Sequence, residues 1–240
     1  MSKPNFYTMK AQGEMATIDV YGPVVPSGYE MFGQSATSFK ADLKALGDVQ
    51  AIELHVNSPG GAVFEGVAIY NVLKNHQAKV TTYIDGLAAS IASVIALAGD
   101  TIIMPKNALM MIHNPKMSYY GTANEFRTKA EELDKTAKAM RSIYLERGGD
   151  HLTEAELIAK LDAETWLDAE EAQAMGYCDV ISEENRMVAM LPPEWADKYQ
   201  HPPTAIIPSA NKEQEDMIHA LGQMKLVAEL DALARCSSGA

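Results

Sequence analysis

From residue 15 to residue 181, segments of strand length alternate with segments of helical periodicity. This alternation constrains the fold more than any other feature of the 240-residue chain. Residues 15–20 read as a strand stopped by Gly22-Pro23. Phe39, Leu43 and Leu46 stand at helical spacing within 38–46, and Gly47 ends that helix. Residues 51–56 form a strand, 57–61 a tight loop and 62–75 a helix. Residues 80–85 are the next strand, 86–89 a turn of small residues, and 90–98 a strongly apolar helix. Two short strands follow at 101–104 and 108–112. A long amphipathic helix at 124–146 stops at Gly148-Gly149, helices follow at 153–160 and 169–175, and a last strand spans 178–181. Such alternation predicts α/β layering with right-handed crossovers.

Composition narrows the function. The chain is 47% hydrophobic and 22% charged, enough to bury one sizeable core. Its net charge of -12 and the lack of a Lys/Arg-rich run argue against a nucleic-acid partner. Cys178 and Cys236 make neither a metal cluster nor a disulfide framework. There is no phosphate-binding loop and no His-Glu-x-x-His, so neither a metal nor a cofactor is expected. Residues 1–12 lack the apolar run of a signal peptide. The longest apolar stretch, 86–99, is too short to span a bilayer. A cytoplasmic protein with no membrane association is expected. Composition shifts after Ile181, where Pro192, Pro193, Pro202, Pro203 and Pro208 fall in a polar stretch. The expected organisation is an N-terminal segment 1–14, a domain 15–182, a Pro-rich linker 183–211 and a helical tail 212–240.

Three segments carry possible chemistry. In Asn57-Ser58-Pro59-Gly60-Gly61 the glycines let the backbone turn sharply and leave N–H groups uncovered, as a developing anion requires. A plain strand-to-helix turn also fits that run. In Gly86-Leu87-Ala88-Ala89-Ser90 small residues leave the serine open to close approach, although a serine at a helix start is commonly an N-cap. In Met110-Met111-Ile112-His113-Asn114-Pro115 a histidine ends a strand before a proline-marked loop, where it can face a cleft. His55, inside a strand, reads as packed. A serine nucleophile needs an adjacent base, the base needs a group that fixes its tautomer, and the tetrahedral intermediate needs donors for its oxyanion. The chain supplies a candidate for each.

In their order and spacing these runs resemble the ClpP family of serine peptidases. The likeness continues through the long helix into Thr165-Trp166-Leu167-Asp168-Ala169-Glu170-Glu171-Ala172 and Gly176-Tyr177-Cys178-Asp179. The resemblance implies a ClpP/crotonase-like layered β-β-α spiral with a long handle helix. It implies that Ser90 attacks the peptide carbonyl, that His113 is its base, and that the N–H groups of Gly61 and Ile91 form the oxyanion hole. The triad acid falls on Glu164, two residues before Trp166, where the family has Asp; Asp162 and Asp168 are the alternatives. The resemblance further implies protein or peptide substrates, homo-oligomeric rings interlocked by helix 124–146, and a strand at 116–122 that pairs with substrate backbone. An ATPase partner is left open, because residues 1–14 do not match the loops that meet the family's unfoldase. The foreign tail and Glu164-Thr165 make the chain similar to phage and prophage head-maturation proteases. That branch implies capsid or scaffold proteins as substrates, in a host cytoplasm. Four other readings compete: a ClpP-type degradative peptidase fed by an ATPase partner, a crotonase-like enzyme acting on acyl-CoA, a non-catalytic assembly protein, and a Ser–Lys dyad using Lys106 or Lys116.

Overall fold

Burial follows the strand period. In β2 (Met15–Tyr21) Ala16, Ile18 and Val20 point inward, and in β3 (Ala51–Ser58) Ile52, Leu54 and Val56 do so. Alternate side chains leave opposite faces of a strand, so one face is apolar and the other carries Asp19, Tyr21, Glu53 and His55. The structure, a computed structural model, describes residues 7–183, 191 and 193–206. The chain divides into two compact units after Met190.

The first unit is built on an eight-stranded sheet. Its main path adds β1 (Tyr7–Gln12), β4 (Lys79–Ala89), β5 (Thr101–Pro105) and β8 (Val180–Ser182), in the order β1-β2-β3-β4-β5-β8. Only β1 runs antiparallel to its neighbour on this path. Helices α1 (Ala36–Ala45), α2 (Val63–Lys74) and α3 (Ile91–Ala96) share one buried cluster with the apolar face. A Cβ on Gly66 of α2 would lie 2.2 Å from Ile91 Cγ1, so the close approach of α2 and α3 requires a glycine there. The 26-residue α4 (Ala123–Gly148) is capped by Glu125, whose carboxylate accepts from the Thr122 N–H and hydroxyl. Its apolar stripe is buried only in the second half, at Ala137, Met140, Ile143 and Tyr144. Phe126, in the first half, is exposed. Helices α5 (Glu154–Asp162) and α6 (Ala169–Ala174) complete this unit. The layered α/β architecture and the long helix are as the resemblance implied.

The sheet forks at β4. Thr81–Tyr83 pair with β5, whereas Leu87–Ala89 pair with β6 (Leu109–Ile112), which in turn pairs antiparallel with β7 (Thr165–Leu167). The turn expected at 86–89 is therefore strand. Gly and Ala disfavour strands intrinsically, but here they are fully enclosed and their backbone groups gain a second neighbour. Two strands were missed, β1 and the three-residue β7. The strand expected at 116–122 is not formed, since that segment has no ladder partner in the single chain.

In the second unit, part of the expected linker is ordered. It holds α7 (Pro193–Ala196) and a 3-10 turn (Thr204–Ile206), and Leu191 N donates to Ile206 O at 2.8 Å. The expected tail 212–240 lies outside the described residues. Among the described residues no helix is long and apolar enough to cross a membrane.

Candidate active site

Ser90 leaves the end of β4 and caps α3 in name only. Its hydroxyl makes no cap bond to the helix. The residue instead sits at φ 55°, ψ -127°, strained for a side chain with a Cβ. The strain is held by a bond from Ser90 N to Met111 O at 2.8 Å and by Ser93, whose hydroxyl donates to Ser90 O at 2.6 Å. With its proton directed there, Ser93 accepts from the buried Tyr144 hydroxyl at 2.7 Å, which ties α4 to the turn. This geometry aims Ser90 Oγ at His113 Nε2, 2.7 Å away.

Strand register explains why these residues meet. Parallel β4 and β6 pair Ala89 with Met111, so Ser90 and His113 emerge from adjacent strand ends. Antiparallel β6 and β7 pair Ile112 with Thr165, so the next rung sets His113 against Glu164. Glu164 Oε2 lies 3.6 Å from His113 Nδ1. Glu164 is itself in the left-handed region at φ 51°, just past the C-terminus of α5, and is 3% exposed. Asp162 is elsewhere: it is exposed and accepts from Asn114 Nδ2 at 2.6 Å. Asp168 caps α6 by accepting from Glu171 N. Of the three acids, only Glu164 stands beside the imidazole.

Burial, and next the Lys116 ammonium, push the His113 imidazole well below its ordinary value of 6.5, against the opposing influence of Glu164. At neutral pH the ring is therefore uncharged and able to accept the Ser90 proton. Lys116 Nζ reaches the same Glu164 Oε2 at 3.0 Å. Lys106, the other lysine weighed for a dyad, pairs with Glu183 at 3.1 Å on the surface.

The glycine loop lies directly on the Ser90 turn. A β-bulge between Val56 and Ser58 shifts β3 so that Ser58 faces Ala88. Asn57 Oδ1 then accepts from Leu87 N at 3.1 Å. A Cβ on Gly60, at φ +86°, would stand 2.9 Å from Ser90 Cβ and 3.1 Å from Ile91 N, which only glycine avoids. Gly60 and the Ile91 nitrogen thus stand beside the serine, and Gly61 follows in the same loop, packed against Val24. Ile91 opens α3, so its N–H is among those the helix cannot satisfy internally. A cavity of about 400 Å³ adjoins this loop, lined by residues that include Gly61, Phe64, Pro115, Lys116, Met117 and Leu133. A half-buried serine, a neutral base, an enclosed carboxylate and backbone donors can together perform acyl transfer.

The structure brings together Ser90, His113 and Glu164, and sets Gly60 and the Ile91 nitrogen beside the serine. The sequence reading missed the Lys116–Glu164 and Asn114–Asp162 links and the Ser93–Tyr144 relay. The first two depend on β7, and three residues carry no periodicity to reveal a strand. Among the described residues no group of three His, Cys, Asp or Glu side chains is placed to hold a metal ion.

A family model described as Clp protease matches residues 28–185. A protein of Adiantum capillus-veneris named "ATP-dependent Clp protease proteolytic subunit" is 32% identical over 192 residues, covering 75% of this chain and 94% of that protein. A protein of the same name from Lobularia maritima is 32% identical over 183 residues, covering 71% of this chain and 92% of its own length.

Proposed function

We propose, from the premise that this chain belongs to the Clp protease family of serine-type peptidases, that it is the proteolytic subunit of an ATP-dependent assembly and hydrolyses peptide bonds in protein substrates. Ser90 Oγ attacks the scissile carbonyl as its proton passes to His113 Nε2. Glu164 orients the ring and stabilises the imidazolium. The N–H groups of Gly61 and Ile91 receive the oxyanion. His113 then protonates the departing amine, and water attacks the acyl-enzyme by the same relay. The observation that carries this reading is the 2.7 Å approach of a strained, uncapped Ser90 hydroxyl to His113.

The ATP-dependent setting is supported by the names of the two relatives and by the share of their length that this chain covers. Capsid processing rests on the likeness of the tail and of Glu164-Thr165, and no feature of the fold or of these relatives favours it. A cytoplasmic location and ring assembly belong to the same proposal.

The test is a fluorophosphonate probe followed by mass spectrometry of the intact protein, beside hydrolysis of a short fluorogenic peptide. Labelling at Ser90, lost in Ser90→Ala and His113→Ala, is expected. Undiminished peptide cleavage by Ser90→Ala would refute the chemistry. Degradation of a stably folded protein by the purified chain without nucleotide or partner would refute the ATP-dependent part.

A further inference from the structure

The segment after His113 and the segment before β7 run side by side, joined by two rungs. Asn114 Nδ2 donates to Asp162 Oδ1 at 2.6 Å, and Lys116 Nζ donates to Glu164 Oε2 at 3.0 Å. Pro115, between the two donors, restricts φ and holds the turn that separates them. The second rung ends on the one carboxylate oxygen that also faces the base. Oε2 of Glu164 is nearer to Lys116 Nζ, at 3.0 Å, than to His113 Nδ1, at 3.6 Å.

A carboxyl group this enclosed, with a side chain 1% exposed, loses most of its hydration. A nearby cation offsets that loss. Lys116 supplies that cation from the surface: its side chain is 46% exposed, so the ammonium keeps part of its own hydration. The same charge has a second effect. It stands beside the imidazole and opposes a second positive charge there. The charged groups facing this acid–base pair are Lys116 on the loop after β6 and, on the α5 side, Asp162, which is exposed and engaged by Asn114.

We propose that Lys116 is a positioning residue for the reaction: its ammonium shares Glu164 Oε2 with His113, and so sets the pH at which the base becomes available. The inference rests on the peptidase reading above for its kinetic consequence but not for its physical content. Resting Ser–His–Glu–Lys is electrically neutral overall. It acquires one positive charge only when the base accepts a proton from outside, and none when the proton comes from Ser90 and an oxyanion forms. The arrangement therefore disfavours idle protonation of His113, whereas in the reactive transfer the negative charge formed at the same time offsets part of the repulsion. The low position of the imidazole agrees with this.

The test compares full-length wild type, Lys116→Met and Lys116→Arg. Two readouts are followed across pH: kcat/KM on a short neutral peptide, and His113 protonation by NMR on isotope-labelled histidine, with the resonance assigned from His113→Gln. Lys116→Met should move the His113 titration and the acid limb of kcat/KM upward together, by about one pH unit or more. Lys116→Arg should retain the wild-type values. An unmoved His113 titration in folded Lys116→Met, or the same displacement in Lys116→Arg, overturns the proposal. So does a rise in KM with the acid limb unmoved, which would mark Lys116 as a substrate contact in the neighbouring cavity. The NMR arm reports on Lys116 even if Ser90 proves not to be the nucleophile, so the two readings fail separately.

Discussion

Two histidine–carboxylate pairs stand on this sheet, and their surroundings drive them in opposite directions. His55 of β3 donates to Asp85 Oδ2 of β4 at 2.8 Å and stacks on Tyr83 at 4.8 Å between ring centroids. Asp85 also accepts from the Tyr21 hydroxyl at 2.6 Å. The bond to Asp85 raises the His55 pKa. His113 is more enclosed, its carboxylate is shared with Lys116, and its pKa falls. A carboxylate beside a histidine therefore does not define a base. What separates the two is depth, a competing cation, and a hydroxyl on the far nitrogen, which at His113 is Ser90.

The largest effect should come from neutralising the two acids in turn. Glu164→Gln is expected to lower kcat/KM for a fluorogenic peptide by about 100- to 10,000-fold, since a misdirected imidazole no longer serves as the base. Asp85→Asn should leave peptide hydrolysis within a few-fold of wild type and cost about 1–3 kcal/mol of stability in denaturant titration. Equal loss of activity in both variants would dissolve the distinction between the pairs.

The next effect is one of sign. His55 has a folded pKa above its unfolded value of about 6.5. Its contribution to stability is fully present below that pH and is lost as pH rises through the folded value. His113 has a folded pKa below the same reference. The stability tied to its neutral form is full above about pH 6.5 and is lost as pH falls toward the folded value. Thermal melts of wild type, His55→Gln and His113→Gln from about pH 5 to 8 check both. The wild-type advantage over His55→Gln should narrow with rising pH, and that over His113→Gln should widen. Parallel curves would show that the two sites do not differ in this way.

The smallest effect concerns Tyr21→Phe, which removes one donor to Asp85. A loss of about 1 kcal/mol with unchanged peptide hydrolysis is expected. A change in activity would mean that the outer face of the sheet communicates with Ser90.

Much of this arrangement was legible in the sequence, because Ser90 and His113 each follow a strand and carry local signals: small residues before one, a proline after the other. Glu164 was reachable through the family resemblance, by counting back two residues from Trp166, with Asp162 and Asp168 as the alternatives. Register decides between them, since Ile112 pairs with Thr165 and so leaves Glu164, not Asp162, opposite the base. Residues 86–89 were misread because glycine and alanine signal a turn by propensity, while enclosure by β3 and β6 makes small side chains a requirement for a strand. β1 escaped notice because residues 7–12 form an edge strand whose later half is exposed, so no apolar alternation marks it. Lys116 was weighed only as a dyad lysine, and its pairing with Glu164 carried no signal, since Glu164 precedes a strand too short to announce itself.

The forked sheet has a genetic corollary. The proposed nucleophile, base and acid are each the residue at or just beyond a strand end, so their mutual placement is inherited from hydrogen-bonded rungs and not from loop conformation. Substitutions around the fork can be absorbed one at a time. Deleting the Glu164 codon, or inserting one between Glu164 and Thr165, instead changes the residue on the rung opposite His113; the deletion offers it the Ala163 methyl in place of a carboxylate. Such a gene would encode a protein of nearly unaltered core and no working base, and tolerance to small indels should drop sharply at that point along the chain.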